Sequence, residues 1–139
     1  MKRSRQNREY IAILLMQSSS LHDLLSILQS ICESLSLSHL NPRIKHFRYF
    51  QFTFFGLMVK AKGLLEMMAF KSEFLKQTIP EFVSTHSSII RLQKRMQKAY
   101  TLIHENKMIE GKAEIIECSK EYQNIFEEIK KNGMRMVLA

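Results

Sequence analysis

An unbroken row of apolar and small side chains, at alternating spacings of three and four residues, runs along the first quarter of the chain. Its members are Ile11, Leu14, Ser18, Leu21, Leu25, Leu28, Cys32 and Leu35. This spacing places them on one face of an α-helix. Eight serines between residues 18 and 38 weaken the intrinsic helix propensity of the segment. We therefore expect a long first helix, ending near residues 37–40, that depends on packing against other helices.

Three further helices follow from similar rows and from the residues at their ends. Asn41-Pro42 predicts the start of the second helix, and Thr78-Ile79-Pro80-Glu81 predicts a capped start of the third. Asn106 to Gly111 is the predicted turn into the fourth helix, and Asn132-Gly133 its predicted end. The predicted core rows are Phe47, Phe54, Ala61, Met68 and Leu75; Phe82, His86, Ile89, Gln93, Met96, Tyr100 and Ile103; and Ile115, Cys118, Tyr122, Ile125 and Ile129.

Few residues in the chain can break a helix, since it has four glycines and two prolines. Long helices with short connections pack most simply as an antiparallel bundle. We therefore predict an all-α fold, an antiparallel bundle of about four long helices, in a single domain over residues 1–139. Residues 1–8 are a predicted basic N-terminal arm, and residues 134–139 a short tail. The heptad rows are long enough to pair with a second copy, so a homodimer is an alternative to a monomer.

The formal net charge of +8 attracts acidic partners. Positive charge is concentrated in residues 1–9, 41–62 and 86–107. The candidate basic binding face consists of Arg43, Lys45, Arg48, Arg91, Lys94, Arg95 and Lys98. Such a face could bind the phosphates of a nucleic acid, with Tyr49 and Phe52 stacking on unpaired bases. Burial of these aromatic side chains in the core is the favoured interpretation.

Cellular location follows from the cysteines and the apolar stretches. Cys32 and Cys118 lie far apart within apolar helical patterns, which predicts two buried, reduced thiols. The apolar stretch at residues 11–16 is too short for a signal peptide. The most hydrophobic stretch, residues 50–59, falls short of a membrane span. We expect a cytoplasmic protein with no transmembrane segment.

The residues of common active sites are scarce. Asp23 is the single aspartate, and half of the twelve glutamates lie between residues 110 and 128, interleaved with lysines as on a solvated helix face. The chain has no glycine-rich phosphate loop, no nucleophile elbow and no His-x-x-x-His pair. We predict that the protein is not an enzyme and uses no metal or cofactor.

Two short sequence patterns around histidines resemble known phosphoacceptor sites. His22-Asp23-Leu24 resembles the His-[Asp/Glu]-Leu motif of two-component histidine kinases, although Ile27 stands where that family usually has proline. His104, with Lys107 three residues later, resembles a histidine phosphotransfer domain, although Met108 stands where that family has glycine. The resemblance implies a remote alternative function, with His22 or His104 accepting a phosphoryl group. His86 lies on a core row and is interpreted as a histidine whose partners lie inside a helix interface.

The features together favour a protein-binding function. Nine methionines provide adaptable apolar side chains, and long heptad rows suit a surface that binds another helix. We predict a non-enzymatic helical interaction module, a small adaptor, chaperone-like or assembly subunit that binds an acidic or helical protein partner. The alternative is a basic helical nucleic-acid-binding protein.

Overall fold

Four α-helices form the described part of the chain: α1 (Lys2–Ser38), α2 (Ile44–Lys76), α3 (Glu81–His104) and α4 (Met108–Leu138). The computed structural model describes the backbone of residues 2–38 and 44–138, and the side chains of residues 4–33 and 52–136. The predicted all-α class is confirmed, and α1 ends within the predicted range. The predicted start at Asn41-Pro42 lies outside the described residues.

The helices form a ring in which each helix packs against two others. Helix α1 contacts α2 and α4, and α3 contacts the same two helices. The ring of Tyr10, early in α1, lies 4.7 Å from that of Phe74, late in α2. Likewise Thr85, early in α3, hydrogen-bonds Glu128, late in α4. Contacts between the start of one helix and the end of the next make the bundle antiparallel, as predicted.

The predicted core rows of α1 and α4 are buried throughout their described lengths. In α2 and α3 each predicted row is joined by a second buried row. The added residues are Met58, Leu65 and Ser72 in α2, and Thr85, Leu92 and Ala99 in α3. His86, Gln93 and Tyr100 are half-buried at the edge of the core. A helix with two neighbours buries a broad stripe, which explains the wider rows.

Helix α3 begins without the predicted threonine cap. Its N-cap residue is Pro80, and no side chain hydrogen-bonds the cap. The hydroxyl of Thr78 instead accepts a hydrogen bond of 3.0 Å from the amide of Asn7 on α1. Thr78 and Ile79 donate backbone hydrogen bonds to Leu75 at the end of α2. The threonine belongs to the turn that closes α2, so the capping-box prediction is wrong.

The connection between α3 and α4 is shorter than predicted, and α3 ends in a Schellman motif. The left-handed residue is Asn106, with φ of 63°. The backbone N–H of Asn106 bonds the carbonyl of Ile103, and that of Lys107 bonds Leu102, which is the Schellman pattern. Gly111, predicted to lie in the turn, lies inside α4 and is buried.

The predicted helix stop at Asn132-Gly133 is wrong. Helix α4 continues to Leu138, so residues 134–138 are its last turns. A Cβ added at Gly133 would lie 3.0–3.2 Å from side-chain atoms of Leu15. The glycine therefore lets α4 approach α1 closely. At the other end of the chain, residues 2–8 form the first turns of α1, where an arm was expected.

Helix α1 combines length with an apolar composition. The most apolar window of 18 residues within Ser4–Glu33 has a mean hydropathy of 1.5, and by length and composition alone this helix could cross a membrane. The core helix of a soluble protein and an N-terminal signal sequence both share these properties. In the bundle, α1 is held to α4 by the hydroxyl of Tyr122, which donates a hydrogen bond of 2.6 Å to the carbonyl of Ser18.

Candidate functional site

The predicted basic ridge on α3 borders the acidic flank of α4. The guanidinium of Arg95 lies 3.9 Å from Glu114, 3.9 Å from Glu117 and 3.5 Å from Glu121. The ammonium of Lys98 lies 3.4 Å from the other carboxylate oxygen of Glu114. These two cations form ion pairs across the α3–α4 seam, so a phosphate would compete with carboxylates for them.

The remaining predicted basic residues fall into two groups. Arg91 and Lys94 are exposed on α3, and Arg91 donates a hydrogen bond of 3.1 Å to the hydroxyl of Ser88. Among the described side chains, neither Arg91 nor Lys94 makes an ion pair. Arg43 and the side chains of Lys45 and Arg48 lie outside the described residues. The described part of the ridge therefore contains two cations without an ion pair among the described side chains, and both line a pocket that Glu114 and Glu121 also line.

His22 lies at the edge of the α1–α4 interface. Its ring stacks on Phe126 with centroids 4.7 Å apart, and its Nε2 lies 2.8 Å from the side-chain amide of Gln123. Its Nδ1 lies 3.7 Å from Asp23. Ring stacking and two polar neighbours hold the imidazole of His22 between α1 and α4. These contacts are typical of a histidine with a structural role.

His104 and Lys107 do not share a helix face. His104 is the last residue of α3, and the Schellman motif separates it from Lys107. The ring of His104 stacks on Tyr100 at 6.1 Å, and Lys107 pairs with Glu105 at 3.5 Å. The spacing that resembles a phosphotransfer domain therefore spans a helix end, and the two side chains have separate partners.

His86 joins a serine and a glutamate at distances that resemble a hydrolytic triad. Its Nδ1 lies 2.7 Å from the hydroxyl of Ser72, and its Nε2 lies 2.8 Å from the carboxylate of Glu73. Ser72 is fully buried, however, and its hydroxyl also lies 3.1 Å from the carbonyl of Ala69. A nucleophile must be reached by its substrate, so this cluster is a structural link between α2 and α3. The prediction that His86 is satisfied inside an interface is confirmed.

The two cysteines lack the environment of reactive thiols. Both are buried thiols, as predicted. Burial raises the pKa of the Cys32 thiol to about 11 and that of Cys118 to about 12, so both are protonated at neutral pH. Across the described residues, no three His, Cys, Asp or Glu side chains are grouped closely enough to hold a metal ion.

The most distinctive surface is the solvent-facing side of α2. We call this surface the α2 face; it consists of Phe52, Gly56, Val59, Gly63, Met67 and Phe70. These residues repeat every three or four positions, opposite the buried row of the same helix. The exposed fraction is 81% for Phe52, 67% for Phe70, 56% for Val59 and 45% for Met67. The other exposed large apolar side chains are spread over α1, α3 and α4.

Lysines line both edges of the α2 face. By helical spacing, Lys60 and Lys71 fall on the same edge as Met67, which contacts Gln17 of α1. Lys62 lies on the edge toward α3, with its ammonium 4.3 Å from the Tyr100 ring. Beyond Lys62, a groove between α2 and α3 is lined by Lys94 and Glu66 together with Leu65, Gln93 and Gln97. The surface is therefore apolar along its centre and mainly cationic at its margins.

The α2 face is not predicted from the sequence, and the predicted burial of Phe52 in the core is wrong. Phe54 is fully buried and Phe55 half-buried, but Phe52 is the most exposed large apolar side chain described. The sequence feature that could have indicated this face is that apolar residues occur on every side of α2. In a four-helix ring each helix keeps one side toward solvent, so a helix apolar all round must expose part of its apolar surface.

Comparison with known proteins identifies no matching family model, curated protein or solved structure.

Proposed function

We propose that the protein is a non-enzymatic interaction module that binds a helix of another protein on the α2 face. The observation that carries this proposal is the exposed row from Phe52 to Phe70, which continues over about 27 Å at the rise of an α-helix. Contiguous apolar patches of this kind mark interaction sites on soluble proteins. Anchors spaced by three or four residues match a partner helix laid along α2.

The contacts of the histidines, cysteines and basic ridge support this proposal over chemical alternatives. Ser72 is fully buried, and burial raises the pKa of both thiols. Arg95 and Lys98 form ion pairs with α4, which reduces the cationic ridge available to a nucleic acid. On the α2 face, Met67 receives a hydrogen bond of 3.7 Å from the side-chain amide of Gln17 on α1, whereas Phe52, Val59 and Phe70 are more than half exposed.

The test is a titration of the isotope-labelled chain with amphipathic helical peptides that share one leucine row. We expect saturable binding with amide chemical-shift changes that follow α2. Val59→Lys should abolish binding without unfolding the chain, because Val59 is exposed. Val83→Lys on α3 is the matched control, since Val83 is 51% exposed and Val59 56% exposed.

Two outcomes would overturn the proposal. One is that no peptide binds at any concentration that leaves the chain folded. The other is salt-sensitive binding to mixed DNA or RNA with shift changes around Arg91 and Lys94, which would establish the nucleic-acid alternative.

A further inference from the structure

The α2 face has two gaps where side chains are missing. Gly56 and Gly63 lie seven residues apart on this face, and a Cβ added at either would meet no atom within 4 Å. The backbone of α2 is therefore accessible at two positions one heptad apart. A second helix can approach most closely at such positions and can place a large side chain over each of them.

The charges at the margins of the α2 face have few internal partners. Among the described side chains, Lys60, Lys62, Lys71 and Lys94 make no ion pair, and the ammonium of Lys62 lies over the Tyr100 ring. Glu66 is the carboxylate that lines the groove beside them. The nearby Glu73 is already paired, with Lys76 at 2.9 Å and His86 at 2.8 Å. The margins are thus complementary to an acidic ligand.

A second copy of this chain fits these charges poorly. An antiparallel pair would best fill the gaps by setting Val59 of each copy against Gly63 of the other, which places the two-fold axis beside Ala61. Lys60 and Lys62 are the immediate neighbours of Ala61 in the sequence, so each would approach its own symmetry mate. Like charges so close to an interface oppose association.

We propose that the α2 face selects an amphipathic helix with large apolar side chains seven residues apart and acidic residues along both edges. This inference rests on the proposed function and specifies the chemistry of the partner. The apolar centre supplies most of the affinity, and the lysines select the partner by charge. An acidic helix would also relieve the mutual repulsion of the lysines at the margins.

The test compares three peptides of about three heptads with the same leucine row and with glutamate, glutamine or lysine at the flanking positions. We expect the glutamate peptide to bind about tenfold more tightly than the glutamine peptide, the combined effect of several rim ion pairs. The lysine peptide should bind most weakly, and added salt should narrow these differences.

Two variants separate charge selection from general apolar binding. Lys60→Glu should reduce affinity for the glutamate peptide and raise it for the lysine peptide, whereas Lys131→Glu on the exposed side of α4 should do neither. Gly63→Leu fills an open gap and should weaken every peptide more than tenfold without unfolding the chain. Ala113→Leu adds the same side chain to exposed α4 and is its control.

Each remaining outcome is decisive. Equal affinity for the three peptides, or unchanged binding by Gly63→Leu, would overturn this inference while leaving the proposed function intact. No binding by any peptide would overturn both. Light scattering that shows a dimer dissociated by Gly63→Leu would assign the face to a second copy. Binding to phosphatidylserine vesicles through Phe52 and Phe70, without peptide binding, would assign it to a membrane surface.

Discussion

Gly63 on α2 and Gly111 on α4 are both helical glycines, yet their surroundings are opposite. A Cβ added at Gly63 would point into open space, whereas one added at Gly111 would overlap Cγ1 of Ile103 on α3. Glycine inside a helix costs stability relative to alanine. At Gly111 the close approach of α3 and α4 offsets that cost. At Gly63 nothing described in the bundle does so, and a bound helix would.

The same two regions differ in charge. At the α3–α4 seam, Arg95 lies between three carboxylates of α4. At the margins of the α2 face, Lys60 and Lys94 have no ion pair among the described side chains. The α3–α4 seam pairs Arg95 with carboxylates of the same chain, whereas the margins of the α2 face leave their lysines available to a ligand. This contrast separates a surface built to hold the bundle together from one suited to a partner.

The largest effect is expected at the packed glycine. Gly111→Ala should destabilise the fold by about 1–3 kcal/mol through overpacking against Ile103. The higher helix propensity of alanine should offset up to about 1 kcal/mol of this loss. Urea unfolding measures the change. The loss in the free energy of unfolding should be smaller in an Ile103→Ala background, because the truncated side chain leaves room for the added methyl group. An unchanged unfolding midpoint for Gly111→Ala would show that α3 and α4 do not pack tightly against each other at Gly111.

At the open glycine the sign should reverse. Gly63→Ala should stabilise the isolated chain by about 0.4–1 kcal/mol, because alanine restricts the unfolded chain and meets no atom in the folded one. Thermal unfolding of the two alanine variants side by side gives the comparison directly. A destabilised Gly63→Ala would mean that the α2 face is covered in the free protein.

The link between α2 and α3 should weaken in acid. Burial, and then the charge of Lys76, lower the pKa of His86 below its ordinary value of 6.5, against the opposing effect of Glu73. The unfolded chain therefore binds a proton at His86 more readily than the folded chain does. The contribution of neutral His86 to the free energy of unfolding is complete above about pH 6.5 and is lost as the pH falls below that value. Unfolding curves measured from pH 7 to pH 5 should show this slope. His86→Gln should flatten the slope, and an equal slope in that variant would assign it to other groups.

The smallest effect is expected from the charges of the seam. Arg95→Gln should cost no more than about 1 kcal/mol, because Arg95 is 40% exposed and ion pairs of this kind contribute little. Lys94→Gln, one position earlier, should leave stability unchanged. High salt should reduce the difference between them. A loss for Lys94→Gln equal to that for Arg95→Gln would contradict the division between paired and unpaired cations.

Much of the fold could be predicted because its signals are local. The row from Ile11 to Cys32 and the row from Ile115 to Ile129 are buried as their spacing indicated. The predictions for Thr78, Gly111 and Gly133 failed for a common reason. Each residue has the chemistry of a helix end, but its role is set by a residue on another helix: Asn7, Ile103 and Leu15 respectively.

The candidate site was less predictable than the fold. The sequence reveals which residues are cationic, but whether a cation is available depends on what faces it. Arg95 and Lys94 are adjacent in the chain, and only Arg95 points toward the carboxylates of α4. The α2 face was missed because Phe52 and Phe54 have the same apolar chemistry, and two residues along a helix separate a solvated side chain from a buried one.

By itself the sequence determined the helical class, the antiparallel order and most of the core, since residue spacing and short connections control these. Only the tertiary structure decided which side of each helix stayed outside, which glycines allowed close packing and which charges were paired. Those properties depend on the neighbours that the bundle brings together from distant parts of the chain. The α2 face is a product of that assembly, because four helices in a ring leave one side of each toward solvent.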